Sequence, residues 1–85
     1  MYRLIISPKA KKQLKNIAKI YRRAVAQTIE ELKEDPFAGK ALTRELTGMY
    51  SYKIGVYRII YRVSGENKKV YIITAGHRAG IYKVF

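Results

Sequence analysis

Between Ser7-Pro8 and Asp35-Pro36 the apolar residues fall at helical spacing, and the length of that segment constrains the shape of the whole chain. Ser followed by Pro is a helix start: the hydroxyl can cap a free N–H, and proline in the first turn loses no hydrogen bond. After it, Ala10, Leu14, Ile17 and Tyr21 share one face, while Lys9, Lys11, Lys12 and Lys15 fill the rest. The pattern resumes at Val25, Ile29 and Leu32 and stops at Asp35, because the residue before a proline is pushed out of helix. As one helix this stretch would be about 42 Å long at about 1.5 Å per residue. A compact domain of this size is only about 30 Å across. The segment must therefore double back as two helices, with the break expected near residues 19–21.

The rest of the chain reads as strand. Residues 2–6 are a short aliphatic run ending at Ser7-Pro8. Pro36-Phe37-Ala38-Gly39 is turn chemistry, and the stretch to Gly48 reads as an irregular connection. Residues 50–54 alternate, Gly55 punctuates, and 56–63 are dense in Tyr, Ile and Val. Ser64-Gly65-Glu66-Asn67 is a hairpin turn, followed by a last strand over 70–75. The expected fold is α+β in the order β-α-α-β-β-β, an N-terminal strand, a helical hairpin and an antiparallel sheet, in one domain over residues 1–85. So short a chain buries only about 60% of its unfolded surface. Its core is then one layer of helices on one sheet, without a deep pocket for a large cofactor.

Charge narrows the function. Eighteen Lys and Arg oppose six Asp and Glu, a net charge of +12. Up to Leu42 there are ten bases and four acids, and after it eight and two, so each half carries +6. A surface with that excess attracts polyanions and releases counterions from phosphates on binding. A merely basic soluble protein, or one with an acidic protein partner, fits the same charge. There is no cysteine, and His77 is the sole histidine, so neither a thiolate nor a multi-histidine metal site is expected, and no cofactor. Too few apolar residues open the chain for a signal peptide, and no apolar run reaches the about 20 residues of a membrane span. A cytoplasmic protein without a membrane partner is expected.

Side chains alternate across a strand, so parity sorts the sheet faces. Tyr57, Ile59, Tyr61 and Val63 share a face apolar enough to pack on the helices; Arg58 and Arg62 lie on the other, with Lys53 and Thr74. Strict alternation sets Ile72 and Thr74 together, against Tyr71, Ile73 and Ala75. A cation in mid-strand loses hydration unless it faces water or an anion. Arg62, near a strand end, reads as a snorkelling surface cation. Arg58, between bulky apolar residues, reads as functional.

The segment Ala75-Gly76-His77-Arg78-Ala79-Gly80-Ile81-Tyr82-Lys83 follows a strand and gathers His, Arg, Tyr and Lys. Phosphodiester cleavage of RNA needs a base for the 2′-hydroxyl, cations for the charge on pentavalent phosphorus and an acid for the leaving oxygen. These residue types supply all three without a metal. His77 can be catalytic or structural: with Arg78 on the open face, an unbroken strand points His77 to the helix side, and only a break at Gly76 lets both reach one site. Tyr82 can equally be a packing residue.

Leu46-Thr47-Gly48, Tyr52-Lys53-Ile54, Tyr57-Arg58-Ile59-Ile60-Tyr61 and Gly76-His77-Arg78 with Tyr82, in that order, resemble the RelE/ParE toxin superfamily of type II toxin–antitoxin systems. The resemblance extends to the N-terminal strand and both helices. It implies a toxin that enters the ribosomal A site and cuts mRNA by attack of the 2′-hydroxyl on the adjacent phosphate, leaving a 2′,3′-cyclic phosphate. By motif position Arg58 resembles the phosphate-stabilising arginine, and Arg78 the arginine near the leaving group. Tyr82 resembles the tyrosine that orients the nucleophile or stacks on a base, and Lys53 one of two lysines implicated in base catalysis. Gly55 stands where the best-known type has the second lysine, and His77 where a lysine often lies. The expected catalytic set is Lys53, Arg58, His77, Arg78 and Tyr82, with Arg62 and Lys83 joining Lys53, Arg58 and Arg78 in RNA binding. The implied partners are ribosome, mRNA and a cognate antitoxin, acidic and using an amphipathic segment. The alternatives are a gyrase poison on the same scaffold and a non-catalytic RNA-binding or decayed toxin.

Overall fold

A computed structural model describes residues 1–77 of the chain. The element order is β1 (Arg3–Ile6), α1 (Pro8–Lys15), α2 (Lys19–Glu34), β2 (Lys40–Ala41), a 3-10 turn (Arg44–Leu46), β3 (Met49–Ile54), β4 (Tyr57–Ser64) and β5 (Lys69–His77). The expected helix start is present: the Ser7 hydroxyl accepts from the Ala10 N–H at 3.0 Å, with Pro8 as the first helical residue. Asp35 is extended, at φ −137° and ψ 85°, and ends α2 before Pro36 as expected.

The break between the helices falls at residues 16–18, earlier than 19–21. Ile17 sits in the connection with its side chain 3% exposed, drawn into the core. Arg22 reaches back from α2 and donates to the carbonyls of Lys15 at 3.3 Å and Ile17 at 3.4 Å. Those carbonyls lie where a helix end leaves acceptors unmatched. Neither contact carries a local signal in the sequence.

Five strands form one sheet in the order β1-β5-β4-β3-β2, with β1 parallel to β5 and every other pair antiparallel. Both helices cover one face. Ala10, Ile17, Val25 and Leu32 pack there on Ile54, Ile59, Tyr61, Val70, Ile72 and Ala75. Thr28 is buried among them with its hydroxyl donated to the Ala24 carbonyl at 2.9 Å.

Three details depart from the sequence reading. The connection before Gly48, read as irregular, contains the two-residue strand β2 and the 3-10 turn. Val56 belongs to the β3–β4 turn, and β5 runs on through Gly76 to His77, where the strand was expected to end at residue 75. Finally, β5 carries a bulge. Ile60 faces Thr74 while Tyr61 faces Ile72, so Ile73 has no partner on β4. A bulge inserts one residue and inverts the alternation beyond it. Ile72 and Thr74 therefore lie on opposite faces, and Ala75 joins the core.

The end of the sheet beside β2 is held by Tyr61. It is fully buried, stacks on Tyr50 with ring centroids 5.6 Å apart, and accepts the Gly39 N–H at 3.0 Å. Only glycine fits at 39, because a Cβ there would come within 2.8 Å of the Ser51 carbonyl and closer still to the Tyr61 hydroxyl. Burial pushes the Tyr61 phenol up to about 12, against an ordinary value of 10.0. A raised phenol holds its proton longer in the folded state than in the unfolded one. Its stabilising contribution is thus complete below pH 10 and is lost as the pH rises towards 12. Thermal melts should show that loss in the wild type and a flatter profile in Tyr61→Phe over the same interval. At neutral pH Tyr61→Phe should be less stable by about 1–3 kcal/mol, the cost of a buried N–H left without its acceptor.

Candidate nucleic-acid interface

The face of the sheet away from the helices is ordered in rows, because residues paired across neighbouring strands point the same way. Arg58 of β4 stands opposite Lys53 on one side and Gly76 on the other. The next row is Ser51, Ile60 and Thr74, with Lys40 of β2 beyond Ser51. Then come Met49, Arg62 and Tyr71, with Ile5 of β1 beyond Tyr71. Arg3, Lys69 and Ser64 complete the face. No Asp or Glu occurs in any described strand. Four of the six acids lie between Glu30 and Asp35, at the end of α2. The sheet face is thus a cationic surface that no carboxylate of its own strands offsets.

The middle row divides that surface. Ser51, Ile60 and Thr74 are all buried, at 4%, 0% and 1% exposure. Thr74 donates from its hydroxyl to Gln13 Oε1 at 2.9 Å, which satisfies it without water. Arg58 and Arg62 stand on either side of this dry strip, four residues apart and so about 13 Å apart along β4. Their surroundings differ. Arg62 is exposed, with its guanidinium carbon 5.0 Å from the centre of the Tyr71 ring. Arg58 is half-buried, its Nε fully so. Its cross-strand partner on one side is Lys53, and Gly76 on the other contributes no side chain. A guanidinium held this way can meet a phosphate with its planar fork, and Lys53, exposed, can reach the same anion.

The structure thus brings Lys53 and Arg58 together and leaves Arg62 in a separate row. His77 goes elsewhere. Because β5 continues unbroken through Gly76, His77 pairs with Tyr57 and points to the helix side, its ring centroid 6.1 Å from that of Tyr57. Tyr57 packs edge-on against Tyr21 at 5.1 Å, and its hydroxyl accepts from the Ala18 N–H at 3.4 Å. His77 therefore extends an aromatic string on the face opposite Lys53 and Arg58. Arg78, Tyr82 and Lys83 lie outside the described residues. Sequence reading missed Lys40, because two residues of strand inside a connection leave no periodicity to detect. It also missed Gln13, whose polar side chain at an amphipathic helix position looks like ordinary solvent-facing surface.

A family profile described as "ParE toxin of type II toxin-antitoxin system, parDE" matches residues 4–82. The chain belongs to the RelE/ParE toxin family. Toxin RelG of Mycobacterium tuberculosis is 36% identical in an alignment covering 81% of this chain and 85% of the relative. The toxin–antitoxin complex RelBE2 of the same organism contains a chain that superposes with a TM-score of 0.81 at 32% identity, covering 91% of this chain and 98% of that one. The intact Escherichia coli RelBE toxin–antitoxin complex has a chain of the same fold, with a TM-score of 0.79 at 24% identity over 91% of this chain and 96% of that one. The protein is accordingly a toxin of a type II toxin–antitoxin system.

Gly55, where the family resemblance implies a second lysine, is fixed by packing in this RelE/ParE member. It has φ +58°, and a Cβ there would lie 2.5 Å from Tyr21 Cε1. A side chain at 55 is thus opposed twice, by a left-handed backbone costing about 1–2 kcal/mol and by overpacking costing about 1–3 kcal/mol. Gly55→Ala should lower stability by about 2 kcal/mol or more in urea titrations. Gly55→Lys should do no better, since the penalty lies at Cβ. An unchanged unfolding midpoint in either variant would show that Tyr21 yields freely.

Proposed function

We propose that this toxin is a ribosome-dependent endoribonuclease that cleaves mRNA in the A site. The observation that carries the reading is the register of Lys53 opposite Arg58 on a strand surface free of carboxylates. In this reading the 2′-oxygen of one nucleotide attacks the adjacent phosphorus, the P–O5′ bond breaks, and a 2′,3′-cyclic phosphate remains. Lys53 stands beside the attacking oxygen, and its ammonium offsets the negative charge that grows there as the 2′-proton leaves. Arg58 meets the non-bridging oxygens, whose charge grows only as the nucleophile closes, so it favours the transition state over the bound substrate. Arg78 and Tyr82 enter by motif position, near the leaving 5′-oxygen and on the nucleophile or a base. The 5′-oxygen must leave with a proton, and the proton from the 2′-hydroxyl balances it. His77 is left out of this machinery, since the side of the sheet it occupies supports a structural role. An open surface of this kind depends on the ribosome to position the RNA, so free RNA should be a poor substrate.

Arg58→Ala and Arg78→Ala should each reduce single-turnover cleavage on translating ribosomes by about 100-fold or more. Ribosome affinity should change much less, because many other cations share the phosphate contacts. Arg58→Lys should recover only part of the loss, since an ammonium lacks the planar fork. Arg62→Ala, across the dry strip, should cleave nearly as the wild type. If Arg58→Ala weakened binding and kept the saturated rate, Arg58 would be a docking residue and the cleavage reading would fail. The description of the matching profile as a ParE toxin favours one second reading, poisoning of DNA gyrase. A supercoiling assay run beside primer extension separates the two, because a gyrase poison would act on DNA without Lys53 or Arg58.

The related RelBE2 and RelBE structures are toxin–antitoxin complexes. For this chain, the partner proposed is a cognate antitoxin that is acidic overall and lays an amphipathic segment over the cationic sheet face. Opposite charge on the two surfaces steers the encounter, so the association rate should fall as ionic strength rises. Stopped-flow association over a salt series tests this, and a rate indifferent to salt would remove the electrostatic capture.

A further inference from the structure

At the outer edge of the sheet, β2 pairs with β3 only through Lys40 opposite Ser51 and Ala41 opposite Tyr50. Before Lys40 the chain peels away, and an open cleft of about 300 Å³ lies between Ala38–Lys40 on one bank and Ser51–Lys53 on the other. Lys40 and Lys53 both line it, on opposite banks. They are diagonal neighbours on the same face, so their backbones are set about 7–8 Å apart, with the Cβ atoms somewhat closer. Both residues are exposed, and no carboxylate lines the cleft. Lys53 is shared, since its other flank is Arg58.

The position of Lys40 is built rather than incidental. Gly39, immediately before it, donates its N–H to the buried Tyr61 hydroxyl and has no room for a Cβ. The backbone that carries Lys40 is thereby pinned to the core while its side chain stays on the surface. A pinned backbone lowers the conformational cost of presenting a cation at one place.

We propose that this cleft is a second phosphate subsite, in which Lys40 and Lys53 hold the backbone phosphate next to the one facing Arg58. Lys40 is then an RNA-binding residue that fixes the register of the strand, and Lys53 links the two subsites. The proposal rests on the reading of the sheet face as an RNA-cleaving surface, and it adds the residue that aligns the substrate there. It also accounts for the β2 side of the sheet carrying a cation although Gly55 cannot.

The test uses the full chain and two readouts. The first is fluorescence anisotropy with a short single-stranded 2′-O-methyl RNA, which cannot be cut, over a salt series. Lys40→Ala should weaken binding several-fold and lower the slope of log affinity against log salt by about 0.7, the value for one phosphate contact on a single strand. Lys40→Arg should keep the slope, and Lys15→Ala, on α1 behind the sheet, should leave it unchanged. The second readout is single-turnover cleavage on ribosomes, where Lys40→Ala should raise the half-saturating toxin concentration and spare the saturated rate. An unchanged slope in Lys40→Ala overturns the subsite even if the wild type cleaves normally. A loss of saturated rate with an unchanged slope also overturns it, by moving Lys40 into the chemistry. A wild type that binds the oligonucleotide through Lys40 but cuts no mRNA upholds the subsite and defeats the cleavage reading alone. A wild type that binds no oligonucleotide overturns the subsite, while cleavage on ribosomes judges the cleavage reading separately. Lys40 is exposed, so circular dichroism should show each variant folded.

Discussion

Everything in this fold leans on the far half of β5, where a strand edge needs partners that no strand supplies. β1 pairs with β5 only from Lys69 to Ile72, and beyond that point β5 would face the helices with its backbone groups unmatched. The start of α1 closes the gap. Ser7 donates its hydroxyl to the Ile73 carbonyl at 2.8 Å, and Gln13 accepts the Ala75 N–H at 3.0 Å. A buried N–H without an acceptor costs about 1–3 kcal/mol, so these two side chains let β5 stay in the sheet past its last strand partner. That extension carries Gly76 to Arg58 and His77 to Tyr57. The same serine caps α1, which ties the first helix, the sheet edge and the candidate site to one residue.

Charge follows the architecture. With the helices on one face, the opposite face is free to carry what the core cannot, and its strands hold Arg and Lys without a single acid. Carboxylates gather instead at the end of α2, where Glu31 accepts from the Tyr52 hydroxyl at 3.3 Å. Partial burial of the ring, then the Glu31 carboxylate beside it, raise the Tyr52 phenol above its ordinary value. The separation gives the outer face a positive charge suited to a polyanion, whether nucleic acid or an acidic protein segment. The buried row through Ile60 then confines the half-buried arginine to one end.

Much of the site could be read locally. Lys53 and Arg58 belong to strands joined by a tight turn at Gly55, so alternation alone set them on one face, and the hairpin set them opposite each other. Helix limits at Ser7-Pro8 and Asp35-Pro36 were equally plain, because capping and proline act within a few residues. His77 shows where this ends. Its side of the sheet depends on whether β5 breaks at Gly76, and the unbroken strand sends it to the aromatic string of Tyr57 and Tyr21. Lys40 was invisible for a similar reason, since its strand exists only by pairing with β3.

By itself, then, the sequence determined the two helices and the four longer strands, the helical hairpin, the apolar face and the clustering of cations on the face behind it. Each follows from side-chain size, charge and period within one or two elements. Tertiary structure alone decided the parallel pairing of β1 with β5, the break at Ile17, the bulge at Ile73 and the brief strand at Lys40. Those depend on groups far apart in the chain, such as Ser7 with Ile73 and Gly39 with Tyr61, that meet only after the core has formed. A bulge moves no residue in sequence yet changes the face of every residue beyond it, which is why alternation could find Arg58 and wrongly set Ile72 beside Thr74.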